Sequence, residues 1–104
     1  MAKSNLTPLS RKYLEKLGYY VEKVEYFEFY TKRMHDLLGV ADLLALNGKE
    51  ILLVQVTNRD HLAERRKKCL ESDKLKLWLS AGGKLVLHGW DKPKFRYRLE
   101  IREL

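Results

Sequence analysis

Two polar residues interrupt the two most apolar segments of the chain. Asp42 lies within VADLLAL at 40–46, and Gln55 lies within ILLVQVT at 51–57. A carboxylate on a buried strand costs free energy unless another group compensates its charge. Carboxylate and amide oxygens are also ligands of hard divalent cations such as Mg²⁺. The two residues therefore indicate either a metal site or a structural role, in which Asp42 caps a turn or pairs with an arginine.

The segment between them favours a β-hairpin that would bring the two residues together. The Asn-Gly dipeptide at 47–48 is typical of a two-residue type I′ turn, whose central residues both need positive φ. In that register Leu46 pairs with Lys49, and Asp42 and Gln55 become diagonal neighbours on one face of the sheet. Their Cβ atoms would lie about 7 Å apart or less. One divalent ion could bridge that distance.

The stretch from Gly39 to Leu44, GVADLL, followed by QVTNR at 55–59, resembles the PD-(D/E)xK nuclease superfamily. Within it, the pattern is similar to the VRR-NUC and archaeal-type Holliday junction resolvase branches. The resemblance implies that Asp42 and Gln55 are metal ligands and that the carbonyl of Val56 adds another oxygen. It implies Mg²⁺ or Mn²⁺ as the cofactor, and a metal-dependent DNA endonuclease for which branched or junction DNA is a candidate substrate.

The chain departs from the family pattern at Thr57, where the resemblance requires a lysine that orients the attacking water and stabilises charge. A threonine hydroxyl supplies no positive charge. Basic residues that could replace the lysine are Lys32, Arg33, Arg59, Arg65 and Lys68. His61 is a candidate general base, because the unperturbed pKa of histidine lies near neutrality. The alternative for His61 is an ordinary polar residue at a helix start.

Gln55 also leaves the metal site one negative charge short of the family's glutamate. Asp36, in the stretch HDLLGVAD, and Glu25, on the preceding strand, are the candidates to restore that charge. The alternative for both is a surface carboxylate.

The charge balance of the chain favours an anionic partner. Twenty-one Lys and Arg stand against fourteen Asp and Glu, for a net charge of +7 and a pI near 9.6. Arg65 and Lys68, in the basic run 65–68, share a helix face and could contact DNA phosphates independently of sequence. The alternative is a solvated face that serves solubility. Four aromatic residues, Tyr26, Phe27, Phe29 and Tyr30, predict core packing or a dimer surface, with stacking on unpaired bases as the alternative.

The elements needed to position these residues form a mixed α/β order. Hydrophobic periodicity predicts helices from Thr7 to Gly18, from Arg59 to Glu71 and from Ser72 to Gly82. It predicts strands at 19–29, 40–46, 51–57, 84–90 and 95–101, the last two as a C-terminal hairpin. The resemblance implies a restriction-endonuclease-like α-β-β-β-α-β core, in which helices flank a mixed central sheet.

Composition excludes several other classes. The 104 residues predict one domain, 1–104, and Cys69 as the only cysteine excludes an internal disulfide and a cysteine-rich zinc site. Met1 to Leu9 lacks the apolar region of a signal peptide, and no apolar run could span a membrane, so we expect a cytoplasmic protein. A homodimer would present two active sites to the two strands of a junction. The small size suggests a phage origin. The rival hypotheses are a catalytically inactive nuclease-fold DNA-binding protein and a basic structural protein.

Overall fold

A central five-stranded sheet lies between layers of helix in the computed structural model, which describes residues 3–104, with side chains from Asn5 onward. The helices are α1 (Lys3–Lys16), α2 (Leu62–Leu70) and α3 (Asp73–Ser80), with 3-10 turns at Arg59–His61 and Pro93–Phe95. The strands are β1 (Tyr20–Lys23), β2 (Tyr26–Glu28), β3 (Arg33–His35), β4 (Leu43–Leu46), β5 (Ile51–Asn58), β6 (Lys84–Asp91) and β7 (Arg98–Glu103). The sheet has the order β1-β4-β5-β6-β7, and β2 and β3 form a separate hairpin.

The sheet is mixed, which confirms the predicted fold class. β5 and β6 run parallel, joined by the α2–α3 crossover, whereas the other neighbours are antiparallel. On β5, Val54 and Val56 belong to the core beneath α1, and Leu53 belongs to the core beneath α2 and α3. Burial on both faces explains why this strand is an almost continuous apolar run.

Helix α1 begins earlier than the sequence predicted. Thr7 and Pro8 lie inside the helix, although they were expected at its start. The stripe formed by Leu6, Ser10 and Leu14 is fully buried, so packing of Leu6 extends the helix despite the hydrogen bond that a proline forfeits. The predicted end at Gly18 is confirmed, since its φ of +97° suits glycine alone. Leu17 continues the apolar spacing of the predicted helix, but it is 58% exposed.

A buried polar cluster attaches α1 to β6. The hydroxyl of Ser10 accepts a hydrogen bond from Nε1 of Trp90 at 2.8 Å and lies 2.9 Å from Nδ1 of His88. The ring of His88 also meets Tyr13 edge-on, with centroids 5.6 Å apart. Burial lowers the pKa of His88 to about 4, so the imidazole is neutral at pH 7.

The single strand predicted at 19–29 is wrong, because the chain leaves the central sheet after Val24. Residues 20–23 pair with β4, and the Val24 amide donates to the carbonyl of Asp42 at 3.0 Å. The following residues then pair with β3, from Tyr26↔His35 to Glu28↔Arg33. Residues 33–35, which lie between two predicted strands, are therefore one side of a hairpin.

The hairpin between β4 and β5 has a longer loop than predicted. Leu46 pairs with Ile51 rather than with Lys49, because the side chain of Asn47 accepts hydrogen bonds from the amides of Lys49 and Glu50. The register therefore differs by two residues, and a shift of two leaves every side chain on its predicted face. The strand expected at 40–46 begins only at Leu43.

Two further details of the packing differ from expectation. The helix predicted from Arg59 to Glu71 is expected to turn its apolar residues inward, and Leu62 and Cys69 are buried, but Leu70 is 48% exposed. The last strand begins at Arg98, and Phe95, expected within it, is 94% exposed. None of the helices within residues 3–104 combines the length and apolar character that a membrane span requires.

Candidate functional site

Asp42 lies immediately before β4 and is completely buried. Its Oδ2 accepts a hydrogen bond of 2.7 Å from the Val56 amide, and its own amide donates to the carbonyl of Val54 at 2.9 Å. The amide and carbonyl of a strand residue point to the same side of the strand. The edge of β5 that carries the Val56 carbonyl therefore faces Asp42.

Three carboxylates converge at this point. One oxygen each from Glu25, Asp36 and Asp42 lies within 4.8 Å of the others, and we refer to these three residues as the acidic cluster. The bond from Val24 to the Asp42 carbonyl brings Glu25 alongside, and the bridge between Leu37 and Ala41 does the same for Asp36. Asp42 is buried and the other two are half-buried, so the cluster is open on one side.

The donor set of the acidic cluster suits a hard divalent cation. All three groups are carboxylates, and Mg²⁺ and Mn²⁺ prefer oxygen ligands and retain several waters. One open side leaves room for those waters. The sequence analysis named Glu25 and Asp36 as candidates to supply the negative charge that Gln55 lacks. Among the residues described, these are the two carboxylates that lie next to Asp42.

Gln55 and Thr57 are both buried on β5, at 2% and 4% exposure. The Oε1 of Gln55 lies 3.7 Å from Sγ of Cys69, whose thiol donates to it. Gln55 therefore faces α2, and its role as a metal ligand stays a prediction, as does that of the Val56 carbonyl. Thr57 sits beside Gly89 of β6.

Cys69 shares helix α2 with the basic residues Arg65 and Lys68, and its thiol responds to the charges around it. Burial raises the pKa of its thiol to about 11, the positive charges of Lys68 and Arg65 lower it, and the negative charge of Asp42 raises it. Arg65 and Lys68 lie with Cys69 on α2, and α2 covers the face of the sheet on which Gln55 lies. Arg65 and Lys68, predicted to share a helix face, lie on the side of the molecule that carries Asp42.

Two grooves flank the acidic cluster, and each contains basic side chains. A groove of about 540 Å³ runs past Asp36 and includes Lys68 and Lys74 in its wall. A second, of about 530 Å³, runs past Glu25 and includes Arg11 and Lys23. Of the basic residues proposed to replace the family lysine, Lys68 lies in the same groove as Asp36 of the acidic cluster.

The remaining basic candidates lie in other surroundings. Arg59 pairs with Glu100 at 2.8 Å and with Asp91 at 3.6 Å, so its guanidinium is held against β7 and its neighbour β6. His61 is exposed at the end of a 3-10 turn. Lys32 and Arg33 are exposed on the β2–β3 hairpin.

The β2–β3 hairpin carries a group of exposed aromatic residues that the sequence placed in a core or a dimer surface. The core interpretation is wrong. The exposed fractions are 59% for Tyr26, 54% for Phe27, 84% for Phe29 and 98% for Tyr30. Charged residues flank and interrupt these rings, at Glu25, Glu28, Lys32 and Arg33, which is a signal for exposure. Periodicity alone does not distinguish a strand of the central sheet from a protruding hairpin.

Comparison with known proteins identifies a similarity of fold. No protein-family model and no curated protein matches the chain. Among solved structures, it is similar to Hjc, a Holliday junction resolvase from the archaeal hyperthermophile Archaeoglobus fulgidus, with a TM-score of 0.56. The chain has the fold of this resolvase. The two sequences are 17% identical, and the match covers 93% of this chain and 70% of Hjc. The restriction-endonuclease-like architecture expected from the sequence is thereby confirmed.

Proposed function

We propose that this protein is a metal-dependent endonuclease that hydrolyses phosphodiester bonds in DNA, with branched or junction DNA as its preferred substrate. The observation that carries the proposal is the acidic cluster: three carboxylates within 4.8 Å of one another, next to β4 of a resolvase-like sheet. When bound, a divalent cation would lower the pKa of water and stabilise negative charge on the phosphate.

The chain's own residues have separate roles in this proposal. Glu25, Asp36 and Asp42 hold Mg²⁺ or Mn²⁺, and Val56 and Gln55 are further candidate ligands from β5. The hydrogen bond from the Val56 amide orients the Asp42 carboxylate. Lys68 supplies the positive charge that Thr57 lacks. Lysine and arginine side chains in the two grooves contact phosphates, so binding should weaken as salt rises.

A homodimer is part of the proposal. Cleavage of a junction requires cuts in two strands, and a symmetric pair of chains presents two equivalent sites. The exposed basic surface and the net charge of +7 favour contact with the DNA backbone rather than with particular bases.

The test is a cleavage assay on a four-way junction, a single strand and a plain duplex, with Mn²⁺, Mg²⁺ or chelator. We expect metal-dependent cutting that Asp42→Asn abolishes, since asparagine keeps an oxygen for the Val56 amide but removes the charge. Asp36→Asn serves as a second variant at a half-buried position. Glu15→Gln, an exposed carboxylate on α1, is the matched control and should cut like the unmodified protein.

A second function is favoured by two departures from the superfamily motif. Thr57 stands where the superfamily motif requires lysine, and Gln55 where it commonly has glutamate. A nuclease-fold protein that binds DNA without cutting it would retain the basic grooves and tolerate both changes. Salt-sensitive binding of DNA with no metal-dependent cutting would establish this function and exclude the first.

A further inference from the structure

The β2–β3 hairpin grows directly out of the acidic cluster. Glu25 immediately precedes β2, Asp36 immediately follows β3, and the first rung of the hairpin is the pair Tyr26↔His35. A ligand bound along this hairpin, residues 26–35, would therefore lie next to the proposed metal site. We call this segment the aromatic hairpin.

Polar contacts hold the aromatic hairpin together and leave the two rings at its tip uncovered. His35 Nε2 lies 2.9 Å from a carboxylate oxygen of Glu28, which also accepts a hydrogen bond of 2.6 Å from Thr31. The rings of Tyr26 and His35 stack with centroids 5.2 Å apart. Phe29 and Tyr30 at the tip are 84% and 98% exposed. Rings on a braced segment lose little conformational entropy when a flat partner stacks on them.

We propose that the aromatic hairpin is a stacking platform for unpaired nucleotides next to the bond that is cut. The inference rests on the proposed function, since it requires DNA to reach the acidic cluster. Lys32 and Arg33 sit beside the exposed rings and can contact phosphates while bases stack. Phe29 and Tyr30 lie in the turn that joins β2 to β3, so both exposed rings at the tip are available to unpaired bases. The platform would give the enzyme its preference for DNA that contains unpaired positions.

The test compares two DNAs of equal length in the presence of chelator, a blunt duplex and a duplex with a short single-stranded flap that contains 2-aminopurine. The unmodified protein should quench 2-aminopurine fluorescence and bind the flap more tightly than the duplex. The double variant Phe29→Ala/Tyr30→Ala should lose about tenfold in affinity for the flap. Its affinity for the blunt duplex should not change.

Three comparisons make the outcome specific. Phe95→Ala removes another aromatic ring that is 94% exposed and should behave like the unmodified protein. Phe29→Tyr/Tyr30→Phe keeps both rings and should retain flap binding. Equal flap affinity in the double alanine variant would overturn the inference. Dimers of the unmodified protein that the double variant dissociates would overturn it in favour of an interface between copies.

Failure of the proposed function gives a different result. Asp42→Asn should still bind the flap and quench its 2-aminopurine fluorescence, and should fail to cut it. If the flap is bound and quenched but never cut with Mn²⁺, the nuclease proposal is wrong, and the aromatic hairpin is a stacking platform of a DNA-binding protein instead. If the flap is cut yet the double alanine variant binds and cuts it normally, the platform is wrong and the nuclease stands.

Discussion

Protonation of His88 should destabilise the fold as the pH falls. His88 is 1% exposed, and burial lowers its pKa from 6.5 to about 4. Between these two values the unfolded chain binds a proton that the folded chain excludes, so stability falls as the pH decreases. The contribution is complete above about pH 6.5 and is lost by about pH 4. A pKa difference of this size corresponds to about 3 kcal/mol in the free energy of unfolding.

The assay is urea unfolding followed by circular dichroism at several pH values between 7 and 4, for the unmodified protein and for His88→Asn. The variant loses the imidazole contacts with Ser10 and should be less stable at pH 7. Its stability should also depend less on pH, by about 3 kcal/mol over the range. Equal losses of stability in the two proteins between pH 7 and pH 4 would refute the reasoning.

Three other predictions follow from particular contacts. Gly89→Ala places a Cβ 2.5 Å from Cγ of Leu62, so the free energy of unfolding should fall by about 1–3 kcal/mol in a denaturant titration; an unchanged value would contradict the packing. Cys69 is 1% exposed, and burial raises the pKa of its thiol to about 11. The native protein should therefore resist a thiol reagent at pH 8 and react only when it unfolds. Rapid labelling of the native protein would contradict the burial of Cys69. Lys68→Ala should slow cleavage while Lys76→Ala, at an exposed position on α3, should not; equal rates would remove Lys68 from the site.

The sheet was predictable because its core strands carry their own pattern. β5 is apolar on both faces, and the position of Asp42 within an apolar run marked it as a residue that needs compensation. The exact pairing was not predictable from the Asn-Gly dipeptide, because Asn47 uses its side chain to close a four-residue loop. The error amounted to two residues, which preserved the faces and hence the inference about Asp42.

The acidic cluster was only partly predictable. Glu25 and Asp36 could be named as candidate carboxylates, but no regular spacing in the sequence predicts that they lie next to Asp42. Their convergence depends on tertiary hydrogen bonds, from Val24 to the Asp42 carbonyl and from Leu37 to the Ala41 carbonyl. The hairpin between Glu25 and Asp36 was also missed. Its strands β2 and β3 pair only with each other and not with the central sheet, and strand patterns alone do not show this.

Titration of Mn²⁺ followed by electron paramagnetic resonance tests the acidic cluster most directly, because it detects the bound ion without DNA or turnover. We expect one Mn²⁺ per chain, unchanged in Glu15→Gln. Loss of a group that merely supports a metal ligand costs about 10- to 100-fold in affinity, so Asp42→Asn and Asp36→Asn should each lose at least about tenfold. Absence of binding by the unmodified protein, or equal affinity in both carboxylate variants, would contradict the metal site on which the proposed nuclease depends.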